Sequence, residues 1–228
     1  MDNAALNTPV QQRQQRPKKV VSPMRWRAAL VCVFVLLAAP VTAAPSWIRA
    51  VGYIDGQCTV WAVRPFLLVT ASHCVYRPGD THDTYYIRGV QEVKVPALVV
   101  WDGAWADEFS DLALLVPDVP WPVTLPLASP IPSPGTPGVA ATYTLGMRWW
   151  TVPVEILGLT HVQERGWMIL FRGDVASGSS GSPILVDNKV VGVISAGYVT
   201  LRLHVATPAG PLARAIRSYD KYGPMPNP

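Results

Sequence analysis

Charge is scarce in these 228 residues, at 15%, while half of them are apolar. A wholly disordered chain is therefore excluded, and one globular domain or two small ones packed together is expected. Long apolar runs are missing as well: none reaches the roughly 18 residues a membrane span needs, which excludes a multi-pass membrane protein. The 17 Gly and 23 Pro follow no strict repeat, so collagen-like and low-complexity architectures fail. Cysteine is down to three residues with no Cys-x-x-Cys pair, and no nucleotide-binding glycine loop or glycosylation sequon follows residue 44. His82, His161 and His204 lack the mutual spacing of a zinc site, so neither a metal nor another cofactor is expected.

Acidic residues are nearly absent from the first 43 positions, where Asp2 stands against Arg13, Arg16, Lys18, Lys19, Arg25 and Arg27. Residues 44–228 hold 13 basic and 14 acidic side chains, a net of −1, so the overall +4 does not belong to the folded part. A nucleic-acid partner needs basic charge on the folded face and is not expected. The basic segment ends in Arg25-Trp26-Arg27 and is followed by apolar Ala28 to Ala39 and the small-residue run Val41-Thr42-Ala43-Ala44. Those are the parts of a secretory signal with its cleavage site, and Met24 would open one of ordinary length. No Arg-Arg pair offers a twin-arginine route. The expected destination is secreted, extracellular or periplasmic; an uncleaved signal would instead anchor the protein through residues 28–39. Cys32 would leave with the signal, so Cys58 and Cys74 remain as a pair, and one disulfide between them is expected. Two buried thiols are the alternative for a cytosolic chain.

Beyond residue 44 short strand-like segments alternate with Gly, Pro and Asp: Thr59 to Val63, Phe66 to Thr70, Glu92 to Val100 and Leu112 to Val116. Eight prolines in the 22 residues from Pro117 to Gly138 suit an extended connector. Strand patterns resume at Ala140 to Leu145, Val152 to Leu159, Trp167 to Phe171, Pro183 to Val186, Val190 to Ser195 and Arg202 to Ala206. Residues 44–122 and 139–208 thus read as two all-β units, with 123–138 as the connector. In 209–228, Leu212, Ile216 and Tyr219 behind Pro211 predict one short packed helix, ahead of a loose tail. Trp149 and Trp150 are expected in a barrel wall or rim.

Three segments carry chemistry: Thr70-Ala71-Ser72-His73-Cys74, Ser110-Asp111-Leu112-Ala113-Leu114-Leu115 and Gly178-Ser179-Ser180-Gly181-Ser182-Pro183. In that order they supply a base, an acid and a hydroxyl nucleophile. A serine becomes nucleophilic at neutral pH when an imidazole takes its proton and a buried carboxylate holds the imidazole's tautomer. The oxyanion then needs backbone donors, and the glycines around Ser180 let the N–H groups of Gly178 and Ser180 converge, each donor being worth about 3 to 4 kcal/mol. Singly, each segment has a plainer reading as a flexible turn, a packed histidine or a strand-end acid; their order and setting favour the chemical one.

With these motifs the chain resembles the trypsin/chymotrypsin-like serine peptidases over residues 48 to 219, in the manner of compact bacterial or viral members. The resemblance implies two packed antiparallel β-barrels with the site in the cleft between them. It makes His73 the general base, Asp111 its orienting carboxylate, Ser180 the acylated nucleophile, and Gly178 with Ser180 the oxyanion hole. It also implies the Cys58–Cys74 disulfide, and it makes Ser195, Ala196 and Gly197 part of the strand that pairs with substrate, Ser195 also bonding to Asp111. Asp174, six residues before Ser180, is expected at the bottom of the primary pocket as a buried carboxylate favouring Lys or Arg; a solvated loop acid is its alternative. Ser179 stands where digestive members hold an activation Asp, so activity without cleavage at Arg49 is expected. Arg49-Ala50-Val51-Gly52 also lies too close to Cys58 for the usual first strand. The resulting expectation is a monomeric secreted serine endopeptidase acting on protein or peptide substrates. The alternatives are a silent binding module on the same fold and a dedicated self-processing or maturation protease.

Overall fold

The structure is a computed structural model and describes residues 45–225 apart from 56, 89, 107–109 and 145–149. The signal or anchor expectation, with residues 28–39, lies outside the described residues, as do Leu145 and Trp149.

Six strands form the first closed barrel: β1 (Val51–Ile54), β2 (Cys58–Arg64), β3 (Leu67–Thr70), β4 (Thr81–Arg88), β5 (Gln91–Asp102) and β6 (Ala113–Pro117), in the spatial order β1-β2-β3-β6-β5-β4. The second barrel holds β7 (Pro137–Thr142), β8 (Trp150–Val162), β9 (Gly166–Gly173), β10 (Pro183–Val186), β11 (Lys189–Tyr198) and β12 (Leu203–Pro208), in the order β10-β11-β12-β9-β8-β7. All neighbours are antiparallel, and closure leaves neither sheet an open edge along its full length. The two-barrel fold implied by the resemblance is the fold observed.

Each barrel fills its own interior, the first with side chains such as Ile54, Val60, Leu68, Val99 and Leu115, the second with Val154, Ile156, Ile169, Phe171 and Ile184. A third cluster joins them. Trp61, Val69, Leu112 and Leu114 from the first barrel pack with Ala141, Leu185 and Val193 from the second, and with Leu212, Ala215 and Ile216 of helix α1 (Ala209–Tyr222). Burying each large aliphatic side chain contributes about 1.5–3 kcal/mol, so this shared core fixes one barrel on the other and with them the cleft. The helix is longer at both ends than its apolar spacing indicated, with Pro211 inside its first turn, and it stops at Gly223, where φ is +76°. The proline-rich connector is extended and tied to both barrels: Leu125 N–H donates to the Ala62 carbonyl at 2.9 Å and Ala128 N–H to that of Val190 at 2.8 Å.

Two strands escape the apolar-pattern reading. In β4 the inward positions include His82 and Thr84, so its alternation is polar in sequence although buried in space. The four residues of β1 correct the expectation that Val51 and Gly52 lie too close to Cys58 for a first strand: a tight turn at Asp55 lets Val51 pair with Trp61 and Ile54 with Cys58. Gly52 fits there because a Cβ would lie 2.0 Å from the Tyr85 carbonyl oxygen.

Cys58, opening β2, is bonded to Cys74 with their Cα atoms 6.1 Å apart. The bridge anchors the 3-10 turn Ser72–Cys74 to the barrel wall. Replacing both cysteines by serine is expected to remove about 3 kcal/mol, seen as a fall of roughly 6–12 °C in Tm; an unchanged Tm would mean the bridge contributes nothing.

Candidate active site

His73 is the middle residue of that 3-10 turn, which follows β3 directly and is held by Cys74 and Val75 N–H groups donating to the Ala71 and Ser72 carbonyls, both at 3.1 Å. Asp111 lies two residues before β6, with its side chain only 8% exposed. The carboxylate grips His73 twice. Its Oδ1 accepts the His73 backbone N–H at 3.1 Å and faces ring Nδ1 at 3.0 Å, while Oδ2 lies 2.9 Å from Nδ1. An imidazole so held carries its proton on Nδ1 and keeps Nε2 free to accept one.

Ser195 joins from the second barrel. The pairing of β11 with β12 shifts register between Ile194 and Ala196, and this bulge lets the buried Ser195 hydroxyl donate to Asp111 Oδ2. Burial alone would push the Asp111 carboxyl up; the bonds from His73, then that from Ser195, outweigh it and hold the group below the usual carboxylate value.

Ser180 sits in the loop before β10, half-buried, its carbonyl accepting the Thr59 N–H at 2.8 Å. A Cβ on the next residue, Gly181, would lie 3.1 Å from the Ala71 nitrogen, so the loop rests against the segment that leads into His73. The structure thus joins His73 to Asp111 directly and seats the Ser180 loop beside them. No hydrogen bond connects Ser180 to His73 among the described residues, and bonds of that kind often tighten only with substrate bound. Ser179, Gly181 and Ser182 direct their N–H groups to the carbonyls of Ala176, Ile194 and Ser179. Among the described residues the N–H groups of Gly178 and Ser180 bond to no backbone carbonyl. Gly178 turns with φ at +93°, and Thr59 Oγ1 donates to its carbonyl at 2.9 Å. The Ser179 hydroxyl is buried and accepts from Thr142 Oγ1 at 2.9 Å.

Ala196 and Gly197 are exposed and pair only with β12, because β10 meets β11 no further than Val193; among the described residues the other edge of 195–197 is open. Asp174 is placed differently from the expectation of a buried pocket acid. Its side chain is 69% exposed, and its two oxygens meet Arg202 Nε at 2.5 Å and Nη2 at 2.7 Å.

Sequence reasoning missed three neighbours. Arg165, beside the β8–β9 turn, reaches Asp111, and nothing in its local sequence distinguishes it from a solvated hairpin arginine. Asp102, buried at the end of β5, accepts from Ser72 Oγ at 2.5 Å and from the Ala104 N–H at 2.8 Å, bracing the turn that carries His73. Burial raises its carboxyl above the usual value despite those two bonds. His204 fills the space beside Gly197, where a Cβ would lie 1.9 Å from its Nδ1, and its Nε2 faces the Gly173 carbonyl at 3.1 Å; burial holds its pKa below the usual imidazole value. Ligating atoms of Cys58, His73 and Cys74 lie within 4.8 Å of one another, but both sulfurs are in the disulfide and neither is a thiolate.

A family model described as a trypsin-like peptidase domain matches residues 53–193. Among solved structures the chain is similar to the Rv3671c protease from M. tuberculosis in its active form, with 19% identity and a TM-score of 0.66 over 98% of this chain and 97% of that one. It is also similar to the inactive form of that protease, at 21% identity and a TM-score of 0.64 over 81% of this chain and 94% of that one. Deg5 follows at 17% identity and a TM-score of 0.62, over 89% and 98%. These likenesses show the fold. No curated protein matches the chain.

Proposed function

We propose, on the premise that the chain belongs to the trypsin-like peptidase family, that it is a serine endopeptidase working through an acyl-enzyme on Ser180. His73 takes the hydroxyl proton as Ser180 attacks the scissile carbonyl, then returns it to the leaving amine; water repeats the sequence in reverse roles to free the acyl group. Asp111 orients His73 and steadies its charged form, and the N–H groups of Gly178 and Ser180 receive the oxyanion. Substrate backbone adds along Ser195, Ala196 and Gly197 as an extra strand. The observation that carries this reading is the double grip of Asp111 on His73, at 2.9 and 3.0 Å from one ring nitrogen, beside the seated Ser180 loop. Fluorophosphonate labelling of the folded protein tests it: wild type is expected to label, and Ser180→Ala and His73→Ala are not. An unlabelled, disulfide-bonded wild type would favour a silent binding module.

A Lys or Arg preference through Asp174 gains no support from its position, since a substrate cation would have to displace Arg202. Asp174→Ser is accordingly expected to change the Arg-to-Leu ratio of kcat/KM by less than about fivefold, the scale of an exposed ion pair. A hundredfold fall would return Asp174 to the pocket.

Activity is proposed to need no cleavage at Arg49. Val51 is paired in β1, and the Arg49 carbonyl accepts Trp121 Nε1 at 3.2 Å, so this segment is built into the barrel. Arg49→Gln should be as active as wild type; an inactive variant would revive the cleavage mechanism. Export is likewise proposed, from the basic residues before Ala28 and the apolar 28–39. N-terminal sequencing of the exported protein decides between a chain starting near residue 44 and one anchored through 28–39.

A further inference from the structure

The β8–β9 hairpin turns with Glu164 and Gly166 both in the left-handed region, at φ +66° and +70°, and with Arg165 N–H donating to the Val162 carbonyl at 3.1 Å. This tight turn aims Arg165 across to the first barrel. Its Nη1 donates to Asp111 Oδ2 at 3.1 Å and also to the Ser195 hydroxyl, which itself donates to the same Oδ2. That oxygen is also the one 2.9 Å from His73 Nδ1. Arg165, Glu164, His73, Asp111, Ser72, Ser110 and Ala104 line one open depression of about 360 Å³.

We infer that Arg165 is a positioning residue of the proposed catalytic centre: its guanidinium holds the same carboxylate oxygen of Asp111 that faces His73 Nδ1 and sets the pH range in which His73 serves as a base. The inference rests on the roles proposed above for His73 and Asp111. A guanidinium keeps its charge at every working pH, so once His73 is protonated two cations share one carboxylate oxygen. The fixed cation opposes the protonated imidazole and leaves the neutral one untouched. Arg165 therefore lessens the hold of Asp111 on the imidazolium relative to a chain that lacks this cation.

The other charges facing this group act in the opposite sense or at longer reach. Asp102, from β5, adds negative potential at Asp111 through the braced Ser72 turn, and Glu164 lines the depression from the hairpin itself. Asp107 and Glu108 lie outside the described residues. Among the described residues Arg165 is the one permanent cation bonded to Asp111.

The test compares full-length wild type, Arg165→Gln and Arg165→Lys by the pH dependence of the fluorophosphonate labelling rate. Acylation of His73 by diethyl pyrocarbonate, read by peptide mass spectrometry over the same pH series, reports the free imidazole without any turnover. In Arg165→Gln both midpoints are expected to rise by about one pH unit, as for removal of a like charge within a few ångströms, and Arg165→Lys should restore most of that shift. Unmoved midpoints in Arg165→Gln, with only a lower Tm, would overturn the inference and reduce Arg165 to a tie for the hairpin. A wild type that fails to label while the acylation midpoint still moves would sink the peptidase reading and leave the role of Arg165 toward His73 standing.

Discussion

Replacing Asp111 by Asn is expected to slow peptide hydrolysis by about 10⁴-fold, against about 10⁶-fold for Ser180→Ala. Every contact to the Asp111 carboxylate comes from a donor: the His73 N–H and ring Nδ1, the Ser195 hydroxyl and Arg165. An asparagine must turn its NH₂ toward one group of these donors whichever way it lies. If it faces His73, the ring adopts the other tautomer and Nε2 carries a proton where a base is required. If it faces Ser195 and Arg165, a guanidinium loses its anion. The stability consequence has a definite sign. Because the Asp111 carboxyl is held below its usual value in the fold, the stabilisation from its charged form is complete above the usual carboxylate range and is lost as pH falls through the lower folded value. Asn lacks that dependence, so circular dichroism from about pH 6 to about pH 2 should show a flatter acid limb for the variant than for wild type. Rates are compared at neutral pH, where both chains are folded. A variant within tenfold of wild type would remove Asp111 from the catalytic set.

The parts of the molecule legible in the sequence are those whose burial coincides with apolar alternation. Pro183 to Val186 was readable to the residue, because every inward position of β10 is apolar and its ends are set by a proline and an Asp-Asn turn. β4 was not, since its inward face carries His82, whose Nδ1 meets Asp55, and Thr84, whose hydroxyl donates to the Val95 carbonyl. A polar residue bonded to a partner 11 or 27 positions away gives no local sign of burial. The same reason divides the site. His73, Asp111 and the Ser180 loop stand in short motifs, each with its own local signature, whereas Arg165 and Asp102 acquire meaning only from what the fold brings to them. Asp174 shows the opposite error: an offset along the chain suggested a pocket floor, and an ion pair with Arg202, 28 residues on, keeps it at the surface.

Gly181→Ala is expected to reduce labelling of Ser180 by at least about 10²-fold, the scale of a 1 Å misplacement at a reacting centre, although no atom of the chemistry is removed. A Cβ at this position would lie 2.2 Å from the Thr59 carbonyl oxygen, 2.4 Å from Thr70 Oγ1 and 3.1 Å from the Ala71 nitrogen. Two of those three are backbone atoms of the barrel wall and cannot swing aside. The Thr59 carbonyl is itself fixed by the Thr70 hydroxyl at 2.8 Å, so the threonine cannot yield without losing that bond. The loop is pinned on its other side too, with Gly181 N–H donating to the Ile194 carbonyl at 2.8 Å and the Ser180 carbonyl accepting from Thr59. Relief therefore has to come from lifting the loop off the wall, which carries Ser180 away from His73 and turns its N–H from the proposed oxyanion site. Backbone strain adds to this, since φ at Gly181 is +82° and a side chain there costs about 1–2 kcal/mol. Gly135→Ala separates the two effects, for Gly135 has nearly the same φ, +83°, and open space where the Cβ would go. That variant should lose about 1 kcal/mol and label at the wild-type rate, whereas Gly181→Ala should lose roughly 2–4 kcal/mol and fail to label. Equal behaviour of the two would mean that strain alone matters and that the Ser180 loop is not seated against Thr59, Thr70 and Ala71, which would take away the geometric support for Ser180 as partner of His73.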